Sequence, residues 1–241
     1  MSVQFWDDIF SSGQHHPYSR VEMPNLDDPV LNRALSYFGD IKGKIVLDLG
    51  FGRGASSLFL ASHGANVVSI DSSQVAVDNF SDYCRLHSIE NIETRCISAF
   101  EISKCKGVDF VFGSMILHHI EPFGKFAEQL RNVLAPGGRG FFWENSGRSA
   151  LMMWFRENVV GKLWVPKCGD SEEYPLTVQE IDLLRGFFDV EIEYPELRYF
   201  SMIPAYLFGN RLREPFELLD RYFYRFPAFR KYSYRQYILL K

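Results

Sequence analysis

Asp48, Gly50, Gly52, Gly54 and Asp71 stand where strand-like apolar runs end, and their spacing suits a ligand cradle. In Ile45-Val-Leu-Asp48-Leu-Gly50-Phe-Gly52-Arg-Gly54 the glycines fall at alternate positions, where a ligand can approach the backbone with no Cβ in the way. About twenty residues later a second apolar run ends at Asp71, placed to accept from both hydroxyls of a ribose. Asp48 can meet a cationic amino group directly or through water, and it would repel a pyrophosphate; the less favoured alternative is that it caps the turn. Spacing alone leaves a nicotinamide cofactor open. Ala55 stands where a dinucleotide fingerprint has its third glycine, and that position accepts alanine.

Farther along, His118 and His119 follow the fourth strand-like run, and Glu144-Asn145 ends the fifth. A hydroxyl nucleophile needs a base near neutral pH, and histidine is the usual choice. His118 is the first candidate; two adjacent histidines at a helix start do not both face one pocket. Glu144 is the second, as a hydrogen-bonding or structural carboxylate. Acids at strand tips can hold Mg²⁺, but the fourth run ends in Gly113-Ser114, which leaves too few oxygen ligands, so no metal is expected. Before the cradle, His15-His-Pro-Tyr18-Ser-Arg20 can fold over a ligand, Tyr18 covering it and Arg20 pairing with a carboxylate, or can form a surface salt bridge.

The elements that must hold these residues follow from periodicity. Residues 1–26 read as irregular. Asp28-Pro29 is an N-cap followed by proline at the first helical position, opening a short helix that ends near Gly39-Asp40. Continuous apolar runs at 45–49 and 67–70 suit parallel strands buried on both faces. Further strands are predicted at 92–97, 108–112 and 140–143, and helices at 56–63, 75–86 and 123–134, the last closed by Ala135-Pro-Gly-Gly138 as a stop and turn. Beyond them come a helix at 148–160, a capping-box helix opening at Thr177-Val-Gln-Glu180, a half-exposed strand at 187–194 and a last strand at 233–240. The predicted fold is α/β, a doubly wound, mostly parallel sheet of seven strands with helical cap insertions. The final pair is antiparallel at one edge. One domain is expected: an N-terminal arm and helix (1–40), a ligand-binding core (41–145), and a cap with the last two strands (146–241).

Val46-Leu-Asp48-Leu-Gly50-Phe-Gly52-Arg-Gly54 resembles motif I of the class I S-adenosylmethionine-dependent methyltransferases, and the likeness runs from about Gly43 to Glu144. The resemblance implies a Rossmann-like fold, S-adenosylmethionine as cofactor, Gly50 and Gly52 along its methionine part, and Asp71 on its ribose. It places Ser72 and Ser73 at the ribose and adenine edge. Where many members carry an acid toward the adenine amino group this chain has Ser98, so either Ser98 Oγ or the backbone of Ala99 and Phe100 takes that place. Gly113-Ser114-Met-Ile-Leu-His118-His119 resembles the segment beneath the cofactor. The later cap is similar to bacterial methyltransferases of small metabolites or saccharides. The implied reaction is methyl transfer to O or N of a small, partly apolar acceptor.

A formal net charge of −4 offers no basic face for nucleic acid, and none is expected as a partner. No run of about 18 apolar residues is present, the first residues lack a signal-peptide pattern, and Cys84, Cys96, Cys105 and Cys168 lack C-x-x-C spacing, so a cytoplasmic location with reduced thiols is expected. From Glu196 onward nine basic residues face four acidic ones. The aromatic stretch 200–226 within that part can roof a substrate pocket, pack as plain core, or lie on anionic lipid, the last being the less favoured function. Oligomeric state is left open. Two rival functions remain at this stage: an NAD-dependent oxidoreductase on the same sheet, which Asp48 disfavours, and a catalytically silent binding module.

Overall fold

The computed structural model describes residues 3–11, 21–159, 174–207 and 213–241. The backbone alternates strand and helix in the order α1 (Val3–Ser11), α2 (Pro29–Phe38), β1 (Ile45–Leu49), α3 (Ala55–Ser62), β2 (Asn66–Asp71), α4 (Gln74–Leu86), β3 (Ile92–Cys96), β4 (Val108–Ser114), α5 (Phe123–Val133) and β5 (Leu134–Asn145). Then follow α6 (Ala150–Asn158), α7 (Val178–Arg185), β6 (Val190–Glu193), α8 (Met202–Leu207), α9 (Arg213–Tyr224), α10 (Pro227–Arg230) and β7 (Arg235–Leu240). Between β3 and β4 the crossover is a run of 3₁₀ turns at Ala99–Cys105, and another such turn, Leu117–His119, follows β4.

One seven-stranded sheet has the order β3-β2-β1-β4-β5-β7-β6. The pairs among β1 to β5 are parallel, while β7 runs antiparallel to both β5 and β6. Strand order reverses between β1 and β4, so the helices that leave their carboxyl ends go to opposite faces and open a crevice there. The predicted antiparallel pair at one edge is present, with β7 seated inside it beside β5 and β6 outermost.

Burial on both faces explains why β1 and β2 read as continuous apolar runs: Val46, Leu47, Val67 and Ile70 are at most 1% exposed. One face packs on α2, α3 and α4 through Phe38, Phe59, Phe80 and Phe141; the other packs on α5 and α7 through Phe126, Leu130, Phe142 and Leu184. Each fully buried phenylalanine contributes roughly 1.5–3 kcal/mol of transfer free energy. Asp28 Oδ1 accepts from the Val30 and Leu31 N–H groups at 2.8 and 3.0 Å, which fixes the start of α2.

Two local expectations change. Residues 3–11 are helical, not irregular: Val3, Trp6 and Phe10 recur at three- and four-residue spacing and turn one face toward the cavity beside the sheet. The Ala135-Pro-Gly-Gly138 stretch is not a turn before β5 but a bulge inside it. Val108 pairs with Leu134 and Phe110 with Arg139, so three extra residues of β5 loop out between the pairs.

Candidate active site

A cavity of about 920 Å³ lies over the carboxyl ends of β1, β2, β4 and β5, with α1 along one side. That is near the upper end of the roughly 300–1,000 Å³ common for ligand pockets, which leaves room for two small molecules together. The glycine turn forms its floor. Gly54 has φ +83°, and a Cβ there would stand 2.3 Å from the Phe80 ring, so only glycine lets α3 start so close to α4. At Gly52 (φ +55°) a Cβ would meet nothing within 4 Å, so the turn offers bare backbone to the cavity, as a closely approaching ligand requires.

Asp71 ends β2 in the cavity wall. Its Oδ2 accepts from the Gly52 N–H at 3.1 Å and its Oδ1 from the Ser73 N–H at 3.0 Å. Burial pushes its pKa up, while these N–H groups and that of Ser72 oppose the shift. The carboxylate is thus oriented by the backbone of both flanking turns, with lone pairs left to accept from a diol.

Asp48 is placed differently from its first reading as a ligand group. It is 1% exposed, outside the cavity wall, and its Oδ2 accepts from the Ser56 and Ser57 hydroxyls at 2.6 and 2.5 Å. It fastens the start of α3 beneath the turn, which is the capping alternative. Burial raises its pKa to about 6, against the pull of the two serine hydroxyls and with a further push from the charge on Asp71.

Of the other residues singled out, Gly50, Ser72, Ser98, Ala99, Phe100 and Ser114 line the cavity. Ser98 caps the 3₁₀ crossover, accepting from the Phe100 N–H at 3.3 Å, and this holds the 98–100 backbone along the cavity edge. Ser73 is buried outside the wall, where it caps α4 through the Ala76 N–H at 3.2 Å and donates to Asp7 of α1. Tyr18 and Arg20 lie outside the described residues.

The two proposed catalytic residues pair with each other behind the wall. Glu144 is fully buried; its Oε1 accepts from the Ile116 and Leu117 N–H groups at 2.7 and 2.6 Å, and its Oε2 meets His118 Nδ1 at 2.6 Å. A buried carboxylate needs such partners, and here they pin the loop after β4. The 3₁₀ turn at Leu117–His119 puts His119, not His118, in the cavity wall. The His119 ring lies 4.0 Å from that of His118 and 5.9 Å, edge-on, from that of Trp6.

Sequence reasoning missed several lining residues. Trp6 and Phe10 come from the helix that was read as irregular, and their three-to-four spacing was the available signal. Arg53, inside the glycine turn, pairs with Glu22 at 2.9 Å and lines the cavity. Trp143, beside the two singled-out residues of β5, lines the cavity from a strand three places along the sheet from Asp71's β2. Among the described residues no group of three or more His, Cys, Asp or Glu is arranged to hold a metal ion, and no helix is long and apolar enough to cross a membrane.

The arrangement can hold a ribose-bearing ligand at the glycine end and a second, partly aromatic molecule beside Trp6, His119 and Trp143. A methyltransferase domain model matches residues 46–138. The chain is 25% identical over 179 residues to the ubiquinone biosynthesis O-methyltransferase of Rickettsia felis, covering 73% of this chain and 71% of that one. It is 27% identical over 128 residues to its namesake from Coxiella burnetii, 53% of this chain, and spans about half (54%) of that relative. A crystal structure of an S-adenosylmethionine-dependent methyltransferase from Aquifex aeolicus superposes with a TM-score of 0.55 at 18% identity, over 89% of this chain and 94% of that one, and so shares the fold.

Proposed function

We propose that this chain, a class I S-adenosylmethionine-dependent methyltransferase, methylates a hydroxyl oxygen of a small, partly aromatic acceptor in the cytoplasm. The observation that carries the choice of oxygen is His119 in the wall between the two ends of the cavity. An amine attacks with its own lone pair, whereas a hydroxyl must lose a proton, and a histidine at the acceptor is suited to take it. The O-methyltransferase names of the relatives from Rickettsia and Coxiella support the same reading.

Bound S-adenosylmethionine supplies a sulfonium-activated methyl group. The residues present fit it: Asp71 would accept from the ribose hydroxyls, Gly50 and Gly52 would lie along the methionine part, and Ser72 with the 98–100 backbone would frame the adenine. The chain's further contribution is alignment, holding the acceptor oxygen in line with the methyl group at short range. Trp6 and Trp143 would flank the acceptor, and His119 would take its proton. Glu144 and His118 act behind His119 by fixing the loop that carries it.

The test is transfer of a labelled methyl group to a panel of catechols and matched aromatic amines, with the product's linkage read by mass spectrometry. Catechol O-methylation is expected, and His119→Asn should lower kcat by roughly 10²–10⁴ while S-adenosylhomocysteine binding stays within about twofold. Methylation of the amines alone, untouched by His119→Asn, would overturn the reading.

A further inference from the structure

A roof over the substrate, one expectation for the aromatic stretch 200–226, requires residues of that stretch in the cavity wall. Among the described residues none beyond Trp143 lines the cavity. Plain core accounts for one side of α9 only. The Phe223 ring lies 5.1 Å from that of Phe200 and 4.9 Å from that of Phe229, and the Tyr224 hydroxyl donates to the Tyr194 carbonyl at 2.7 Å. Asp220, the one buried residue of α9, accepts from the N–H groups of Tyr199, Phe200 and Ser201. These contacts fasten the helix from within.

The other side faces water. Leu218, Leu219 and Tyr222 of α9, with Phe226 and Phe229 just beyond it, are between 41% and 61% exposed. They form one patch: the two leucines stand a turn before Tyr222 on the same helix face, and the rings continue from Tyr222 to Phe226 at 5.8 Å and from Phe226 to Phe229 at 6.3 Å. Single exposed apolar residues are ordinary, whereas a run of five in contact marks a surface that another body covers.

Charge selects that body. Residues 213–232 carry five basic and three acidic side chains, a formal +2 in a chain of −4, so the rest of the chain carries −6. Two of the three acids are already used: Asp220 on backbone N–H groups, and Glu217 on Arg213 Nε at 2.5 Å. Arg221 is 3.9 Å from Glu217 with its side chain 74% exposed. Arg225 and Lys231 are exposed, and neither is paired with an acid among the described residues. A second copy meeting this face across a twofold axis would set the same cations against one another. An anionic bilayer offers a headgroup layer for the rings and negative charge for the cations.

We propose that this face of α9 and α10 docks the protein on the surface of an anionic lipid bilayer. Leu218, Tyr222, Phe226 and Phe229 enter the headgroup layer, and Arg221, Arg225 and Lys231 meet lipid headgroups around them. The long stems of these cations cover the rim of the patch while their charged ends stay wet. The protein lies on the bilayer and does not cross it, since no helix of the described residues is long and apolar enough to span. The docking is independent of which acceptor the cavity methylates.

Flotation of the full chain with vesicles tests this, using phosphatidylcholine alone and phosphatidylcholine mixed equally with phosphatidylglycerol. Binding to the mixed vesicles should exceed binding to phosphatidylcholine by roughly tenfold or more at low salt, and should fall steeply in about 0.5 M NaCl. Arg221→Gln with Arg225→Gln should remove roughly tenfold of that preference. Tyr222→Ser with Phe226→Ser should weaken binding to both kinds of vesicle. All four side chains are exposed, so thermal melting and S-adenosylhomocysteine affinity should hold in both variants and serve as the check on folding. Absence of binding at low salt, equal binding to the two vesicle types, or binding that either double variant leaves unmoved would overturn the proposal. So would a dimer in vesicle-free sedimentation that Tyr222→Ser with Phe226→Ser dissociates, because a second copy would then be what covers the face.

Discussion

At the tips of β1 and β2 the cavity is built around backbone, whereas at the tip of β5 its wall is a side chain, Trp143. On the first side Gly50 and Gly52 present bare peptide groups, and Asp71 is held by the N–H groups of Gly52 and Ser73. On the second, Trp143 lies under Arg235, which is tied to Asn145. A pocket of backbone donors is rigid and tolerates little change, because the turn that forms it also starts a helix. A pocket of side chains on an antiparallel pair can change its ligand without disturbing the sheet. The cofactor end should therefore fail abruptly when altered and the acceptor end should shift in preference.

The sharpest break in that comparison should come at Asp71. Asp71→Ala removes the carboxylate proposed to hold the ribose, and S-adenosylhomocysteine binding should weaken by roughly 1.5–3 kcal/mol, at least tenfold, in a calorimetric titration. Unchanged cofactor affinity would remove Asp71 from the site.

Asp48 tests whether the rigid half is costly to build. Its pKa is raised to about 6 by burial, above the ordinary value near 3.8. Between those two values the folded chain binds more protons than the unfolded one, so this group's contribution to stability falls as pH rises from about 4 to 6 and is level above that. The cost at neutral pH is about 3 kcal/mol, from a shift of roughly two units at about 1.4 kcal/mol each. Asp48→Asn should therefore melt higher than the parent at pH 7.5, and the gap should close by pH 4. A gap independent of pH would mean that the carboxylate is not the source.

The same division explains what could be read beforehand. The glycine turn, Asp71, the Asp28 cap and the Thr177 capping box rest on residues within a few positions of one another, and local spacing was enough to find them. Direct contact with the ligand could not be separated from support beneath it: Asp48 and Ser73 were placed at the ligand and sit one layer below. His118 and His119 could not be told apart because a single 3₁₀ turn decides which ring faces the cavity. Arg235 gave no local signal at all, since its partner Asn145 is 90 residues away and meets it only through strand pairing. The nicotinamide alternative, open on spacing alone, gave way once the methyltransferase domain model matched residues 46–138.

The smallest effect belongs to the join between α1 and this rigid half. Ser73, which caps α4 next to Asp71, donates its hydroxyl to Asp7, so the helix carrying Trp6 and Phe10 is fastened to the cofactor end of the cavity. Phe10 remains buried, at 7% exposed, and the Trp6 ring keeps its edge contact with His119, so loss of Asp7 should loosen α1 without releasing it. Asp7→Ala deletes one hydrogen bond worth about 1 kcal/mol. Amide exchange in α1 should quicken and S-adenosylhomocysteine affinity fall a few-fold. If exchange quickens and affinity does not move, α1 only flanks the cavity.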